Sequence, residues 1–338
     1  MNPENEKHYT IPVFVPELAC PFQCVFCDQR KISGHEESPV IEEVRRTIEE
    51  HLATIPLQGS CVEIGFFGGN FTGIPLELQE SYLAVAAEYL KEGRIRGIRL
   101  STRPDYISPE KLKLLKHYGV SSIELGAQSL DKDVLRLSGR GHKVEDIEVA
   151  SRLIIEEGFL LGLQMMIGLP GDTREKSLFT ARRIVELGAE NTRIYPTLVI
   201  KGTKLEQMYL SGKYKPLELQ EAVSIAKSAA EIFEASKVKI IRMGLHPSEG
   251  LISGEYLVAG PYHVSFRELV LTEIWHGILQ PLSLEKREKV TISVAPGEFN
   301  YAVGYNARNK KELLKNFHKV RFITDEALKG REFIADYN

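Results

Sequence analysis

The chain has 338 residues, a formal net charge of -3, 43% apolar and 26% charged residues, and four cysteines. These values lie near the averages for globular domains and no run of about 18 apolar residues occurs, which excludes a transmembrane helix, a disordered polyelectrolyte and a disulfide-dense scaffold. The polar, acidic start MNPENEKHYT has the character of neither a secretory nor a mitochondrial leader, so a cytoplasmic protein is expected.

The first apolar run, IPVFVP, reads as a strand and leads directly into ACPFQCVFCDQRKISG, where Cys20, Cys24 and Cys27 have the spacing C-x3-C-x2-C. Thiolates grouped this tightly ligate a metal or a cluster, and three of them leave one coordination position without Cys. A structural zinc site needs a fourth ligand, and neither His8 nor His35 has a suitable offset. The helical repeat in PVIEEVRRTIEEHLATI comes next, then the strand-like CVEIGFFGGN, in which Cys61 is expected as a packed core thiol. LELQESYLAVAAEYLKE reads as helix and GIRLSTRPDYI as strand, while Ser108-Pro109-Glu110 caps the helix KLKLLKHYG. SSIELGAQSL and FLLGLQMMIGLPG are strands on either side of the helix VEDIEVASRLIIEEG. Asp172 and Glu175 have capping-box spacing ahead of SLFTARRIVELG, and NTRIYPTLVI, PLELQEAVSIAKSAAEIFEAS and VKIIRMGLH continue as strand, helix and strand.

Near-continuous apolar strands alternating with helices indicate a parallel sheet with crossover helices, either open and doubly wound or curved into an incomplete (β/α) barrel. Polar and glycine residues gather at successive strand ends, which is the ligand-binding edge of both architectures. FFGGN lacks the glycine pattern of a dinucleotide fold and the Gly-Lys-Ser/Thr of a P-loop.

The cysteine spacing resembles that of the radical SAM superfamily. The resemblance implies a partial (β/α)6 barrel and a [4Fe-4S] cluster held by Cys20, Cys24 and Cys27, with one iron free for the amino and carboxylate groups of S-adenosylmethionine (SAM). It further implies a 5'-deoxyadenosyl radical and a low-potential electron donor of the flavodoxin or ferredoxin type. By the same resemblance Gly68, Gly69 and Asn70 hold the SAM amino group. GAQSLDKDVLRLSGRGH is similar to a segment of oxygen-independent coproporphyrinogen oxidase, which implies that Gln128 contacts SAM and Arg140 pairs with its carboxylate; Gln164 stands where that family has a ribose-binding carboxylate. STRPDYI, IELGAQSLDKDVLRLSGRGH and RIYPTLVIKGTKLEQMYLSGKYKPLELQEAV resemble the radical SAM part of the Elongator catalytic subunit family, which modifies the wobble uridine of tRNA, over roughly residues 8 to 270. That family has a longer spacing before its second cluster cysteine, a Glu where Ser101 stands, and an acetyltransferase domain for which this chain has no room, so the acetyl-derived modification is not expected here by the same route.

His246, Glu249, Tyr262 and His263 follow the last barrel strand, where a substrate would approach. From Pro281 to Ile323 basic residues outnumber acidic ones, and KVTISVAPGEFNYAVGYNARNKKELLKNFHKVRFIT resembles a minimal KH module, a βααβ unit that clamps single-stranded nucleic acid with a G-x-x-G loop. The loop here is Gly304-Tyr305-Asn306-Ala307, and Ala suits it only where the backbone keeps ordinary dihedrals. The expected division is a barrel over residues 1–280, with its cluster loop at 20–27, and a small basic KH-like α/β appendage over 281–338. The leading functional expectation is radical SAM chemistry on RNA, specifically tRNA, with Lys310, Lys311 and Lys315 on the phosphate backbone. The alternatives are radical SAM chemistry on a small metabolite with a purely structural tail, and a non-catalytic metal-binding module.

Overall fold

Seven strands lie side by side in chain order, and every neighbouring pair is parallel. They are β1 (Lys7–Phe14), β2 (Ser60–Phe67), β3 (Gly97–Thr102), β4 (Val120–Gln128), β5 (Leu160–Ile167), β6 (Asn191–Pro196) and, after the two-residue β7 (Val199–Ile200), β8 (Lys239–Met243). The computed structural model describes residues 7–16, 24–28, 31, 37–56, 59–285 and 287–337, so Cys20, His35 and Lys286 lie outside the described residues. Crossover helices return the chain each time: α1 (Ile41–Thr54), α2 (Leu76–Lys91), α3 (Pro109–His117), α4 (Lys132–Leu137) with α5 (Val144–Glu156), α6 (Arg174–Glu186), and α7 (Lys204–Leu210) with α8 (Leu219–Ala235). The sheet is curled but open, with β1 and β8 at its edges, as a partial barrel requires.

Strand alternation sorts the side chains. Ile64, Phe66, Ile98, Leu100, Ile123, Leu125, Leu161 and Leu163 face the helices and are fully buried. Their neighbours along each strand, Glu63, Arg99, Ser101, Glu124, Gln164 and Arg193, share the opposite, concave face. The parallel arrangement brings all seven C-terminal strand ends to one edge.

Several local expectations are corrected. The strand in GIRLSTRPDYI stops at Thr102, because Pro104 opens a 3-10 turn over Pro104–Tyr106. NTRIYPTLVI is two strands: β6 ends at Pro196, and β7 pairs antiparallel with β9 (Leu257–Ala259) outside the main sheet. The α6 N-cap is Thr173, whose hydroxyl accepts from Lys176 N, while Asp172 accepts instead from Gly168 N, Thr173 N and Ser177 Oγ. Cys61 is half-buried on the concave face opposite His8 rather than sealed in the core.

After β9 and the short α9 (Glu249–Ile252) that precedes it, α10 (Phe266–Leu279) packs against α8 and the β8 edge of the barrel. Sequence periodicity does not single it out, because it is apolar on both sides. Phe266, Val270, Leu271 and Ile274 join the barrel core, whereas Trp275 and Leu279 join a second core with Val290, Ile292, Val294, Leu313, Phe317 and Val320 of the tail. The tail is β10 (Lys289–Val294), α11 (Phe299–Val303), α12 (Arg308–Leu313) and β11 (Lys319–Thr324), the βααβ order expected, with β10 and β11 parallel. A further strand, β12 (Phe333–Asp336), pairs antiparallel with β10.

The tail is anchored by this shared helix. Trp275 is fully buried and its Nε1 donates to Glu298 Oε2 at 2.7 Å, and Arg331 pairs with Glu234 of α8. The Trp275→Ala variant is therefore expected to lose about 3–5 kcal/mol of stability. In limited proteolysis its tail should be cut before the barrel. Equal urea midpoints for variant and parent would show that the second core does not bear on the global fold.

Candidate active site

The loops at the strand ends depart from ordinary backbone geometry at several points. Gly68 and Gly69, after β2, have φ of 123° and 124°. A Cβ on Gly68 would lie 2.3 Å from the Val15 carbonyl oxygen, so only glycine lets the end of β2 pass the chain that runs from β1 toward the cysteine loop. The buried Asn70 fixes the turn that follows: its Oδ1 accepts from Thr102 Oγ1 at 2.9 Å, and Thr102 in turn contacts Thr72 Oγ1 at 2.6 Å. In β4 the register against β5 shifts between Leu125 and Gln128. That bulge turns Gln128 into the left-handed region at φ 66°, a strained conformation for a residue with a side chain, and its buried Oε1 has no hydrogen-bond partner.

The described part of the cysteine loop is clamped from two sides. Val25 N donates to Ser138 O at the end of α4, and Val25 O accepts from Leu205 N at the start of α7 at 2.7 Å. Cys24 and Phe26 are buried in a satellite core with Val134, Leu169, Val199, Leu205 and Tyr214, and Lys31 Nζ reaches the Lys201 carbonyl at 2.8 Å. The segment 199–205 is thus the seat of the cysteine loop, a relation between distant residues that periodicity cannot reveal. Arg140, buried just beyond α4, donates through Nη1 to Cys24 Sγ at 3.4 Å and through Nη2 to the Gly126 carbonyl. Its buried Nε has no acceptor. Arg103 holds the loop from behind, with two 2.9 Å bonds to Asp105 and a 2.7 Å bond to Arg140 O.

Below this edge the concave face carries a line of charges. The Glu124 carboxylate is 1% exposed and binds Arg193 through bonds of 2.6 and 3.0 Å and Arg99 at 2.8 Å; Arg99 also meets Glu63, which takes His8. Burial alone would raise the Glu124 carboxyl, but the Arg193 and Arg99 cations outweigh it and hold the group below the usual carboxylate range. Gln164 Nε2 donates to Glu124 at 3.1 Å and to Ser101 Oγ at 3.3 Å. Of this line the sequence had singled out only His8, Ser101 and Gln164; a lone charged residue inside the otherwise uncharged strands β2, β3, β4 and β6 was the signal that could have found the rest.

Of the residues expected near an incoming substrate, His246 contacts Arg242 Nη2 at 3.1 Å. Tyr262 OH is buried without a partner, and His263 stacks edge-on against Tyr305 and accepts from Ser265 N. Glu249 opens the short α9 and is exposed. The Gly304–Ala307 loop departs from expectation. Asn306 and Ala307 have φ of 52° and 58°, so the alanine occupies the left-handed region that glycine would fill without strain. The loop also leans on α10, with Tyr305 N donating to Thr272 Oγ1 at 2.8 Å and Arg308 paired with Glu273.

The sequence profile described as the Radical SAM superfamily matches residues 17–184, and the profile described as the Radical_SAM C-terminal domain matches residues 189–276. An uncharacterized protein of Methanocaldococcus jannaschii is 32% identical over 234 residues, which cover 65% of this chain and 70% of that one. The tRNA uridine(34) acetyltransferase of Dehalococcoides mccartyi is 28% identical over 239 residues, 61% of this chain and 52% of the relative, so the chain spans about half the relative's length. Among solved structures, Elp3 of the archaeon Methanocaldococcus infernus superimposes with a TM-score of 0.65 at 22% identity, covering 84% of this chain and 66% of that one.

His142, next to the Arg140 turn, offers a pH test of this packing. Burial pushes its imidazole down to about 2, and the Arg140 and Arg103 cations add to the effect. The folded protein keeps it neutral while the unfolded chain protonates it below its ordinary 6.5, so its share of stability is complete above that pH and is lost on acidification. Between about pH 6.5 and 5, where ordinary carboxylates remain ionised, this contributes a slope of up to about 1.4 kcal/mol per pH unit. Urea titrations of His142→Gln should lack that slope; a variant as acid-sensitive as the parent would contradict the placement.

Proposed function

The chain belongs to the radical SAM superfamily, enzymes whose cofactors are a [4Fe-4S] cluster and S-adenosylmethionine, and from that premise we propose that it modifies tRNA. The observation that carries this reading is the likeness of the barrel to a tRNA uridine(34) acetyltransferase over 239 residues. A cationic face on the tail supports it. Lys311, Lys315, Lys319 and Arg321 are exposed on α12, the turn after it and β11, and such a surface suits a phosphate backbone. Only the class of substrate is taken from the relative. We assign the division into barrel (1–280) and KH-like tail (281–338), a cytoplasmic location and a flavodoxin- or ferredoxin-type electron donor to the same proposal.

In this reading Cys20, Cys24 and Cys27 hold the cluster, which together with SAM supplies reductive cleavage of the sulfonium and hydrogen abstraction from an unactivated position. The surrounding residues fit such an occupant. The unsatisfied Nε of Arg140 and Oε1 of Gln128 are a buried donor and a buried acceptor awaiting partners, and a planar guanidinium suits a carboxylate. Gly68, Gly69 and Asn70 offer backbone groups that no Cβ shields at the glycines, while Gln164, tethered to Glu124, can still present its amide oxygen to a ribose hydroxyl. The satellite core around Cys24 and Phe26 excludes water from the loop.

A small-metabolite substrate with a structural tail is the competing reading, and the packing of the Gly304–Ala307 loop against α10 favours it, since that loop is not left open to clamp a strand. On the tRNA reading, by contrast, RNA contact falls to the lysines rather than the loop.

The nucleosides of tRNA from cells with and without the protein, compared by mass spectrometry, test the substrate: one modified nucleoside should disappear, and an unchanged inventory would move the assignment to a metabolite. Replacing Lys310, Lys311 and Lys315 by Ala should reduce the salt slope of tRNA binding by about two, at roughly 0.7 per phosphate contact on a single strand. Arg140→Ala should weaken SAM binding by about 30- to 1000-fold, the loss of a buried charged partner; normal SAM affinity in that variant would displace the carboxylate site from Arg140.

A further inference from the structure

At the β8 edge of the barrel the charges of the concave face no longer balance. Glu63 and Glu124 between them serve Arg99 and Arg193, but the last strand adds a third guanidinium, Arg242. It arrives there through a bulge. The register between β6 and β8 runs Thr192 opposite Ile240 and then Arg193 opposite Arg242, so Ile241 is the extra residue and Arg242 is turned onto the same face as Arg193. Like charges directly opposite one another on paired strands repel, and a bulge that creates such a pair has to be repaid by an anion.

No carboxylate among the described residues supplies it. The Arg242 Nε donates to Gly244 O at 3.1 Å, and Nη2 reaches Leu245 O at 3.4 Å and His246 Nδ1 at 3.1 Å. Nothing among the described residues accepts from Nη1. Burial is the main influence against the Arg242 cation, with Tyr195 favouring it and the Arg193 charge opposing it, and burial and Arg242 disfavour protonated His246. The hydroxyl of Ser248, which is 8% exposed and two residues past His246, has no partner either. Arg242 is half-buried, held through Nε and Nη2 by two carbonyls and His246 with Nη1 left open, near the strand-end edge that carries Gly68 and Gln128.

We propose that Arg242, with His246 beside it, is a binding site for a phosphate-type oxyanion of the substrate. The site rests on the RNA reading above for its source, a backbone phosphate next to the nucleotide that enters the barrel. The open Nη1 can donate both of its hydrogens to phosphate oxygens, and an anion there would offset the Arg193–Arg242 repulsion. Such a contact would fix the depth and orientation of the entering nucleotide against the strand-end residues without reading its base.

The test uses the full chain, its Arg242→Gln and Arg242→Lys variants, and two probes. Inorganic phosphate should raise the thermal midpoint of the parent and leave that of Arg242→Gln unmoved, while Arg242→Lys, which keeps the charge without the fork, should retain part of the protection. Binding of unfractionated tRNA, titrated over a potassium chloride series, should be roughly tenfold weaker for Arg242→Gln, with the salt slope smaller by about 0.7 to 0.9. Equal phosphate protection in parent and Arg242→Gln, or none in the parent, overturns the site. Protection lost with the tRNA slope unchanged upholds an oxyanion site and assigns it to a small phosphorylated substrate instead of a nucleic-acid backbone. A parent that binds tRNA without salt dependence sinks the RNA reading alone, because the phosphate arm is read independently.

Discussion

One buried carboxylate holds the concave face of this barrel together. Glu124 lies in the middle strand of seven, accepts from Arg193 on one side and Arg99 on the other, and receives the amide of Gln164 from the strand between. A parallel sheet flanked by helices ordinarily lines both faces with apolar side chains. Here the inner face stays polar enough to receive a ligand because Glu124, with Glu63 beside Arg99, balances two guanidiniums that would otherwise be stranded. Such a pair adds little net stability over an apolar substitute, yet removing one member is costly, of order 3–5 kcal/mol. The arrangement suits a surface that must stay both charged and rigid.

The rigidity matters at the strand ends, where the structure departs from relaxed geometry. Gln128 in the left-handed region, two glycines at φ beyond 120° and the close passage of Gly68 against Val15 are tolerated because the sheet below them cannot shift. Arg140 links this edge to the cysteine loop through Cys24, and Arg103 ties Arg140 to β3. The loop is seated on residues 199–205, which come from far along the chain and pair with β9 outside the main sheet. Cluster loop and barrel are therefore joined by a small second layer of structure over the mouth.

The tail depends on the barrel as much as it extends it. Its core is completed by Trp275 and Leu279 of α10, and its first glycine loop leans on Thr272 of the same helix. A basic face carried on an element fixed in this way keeps a constant position relative to the barrel mouth. The left-handed Ala307 is consistent with a loop shaped by that packing rather than by a bound strand.

The sequence by itself determined the order of strands and helices, the parallel sheet and the family, because each of these follows from local periodicity or from a spacing within a few residues. It also marked Gly68, Gly69, Gln128, Arg140 and Gln164, although not what they touch. What only the tertiary structure decided lies at long range: Glu124 shared by Arg99 and Arg193, the seat of the cysteine loop on residues 199–205, the bulge that turns Arg242 onto the concave face, and α10 as the joint between two cores. Helix α10 was illegible because a helix buried on two sides has no polar face to break its pattern. The charged line was illegible as a line because each strand contributes one member, and only pairing of the strands in register brings them within hydrogen-bonding distance.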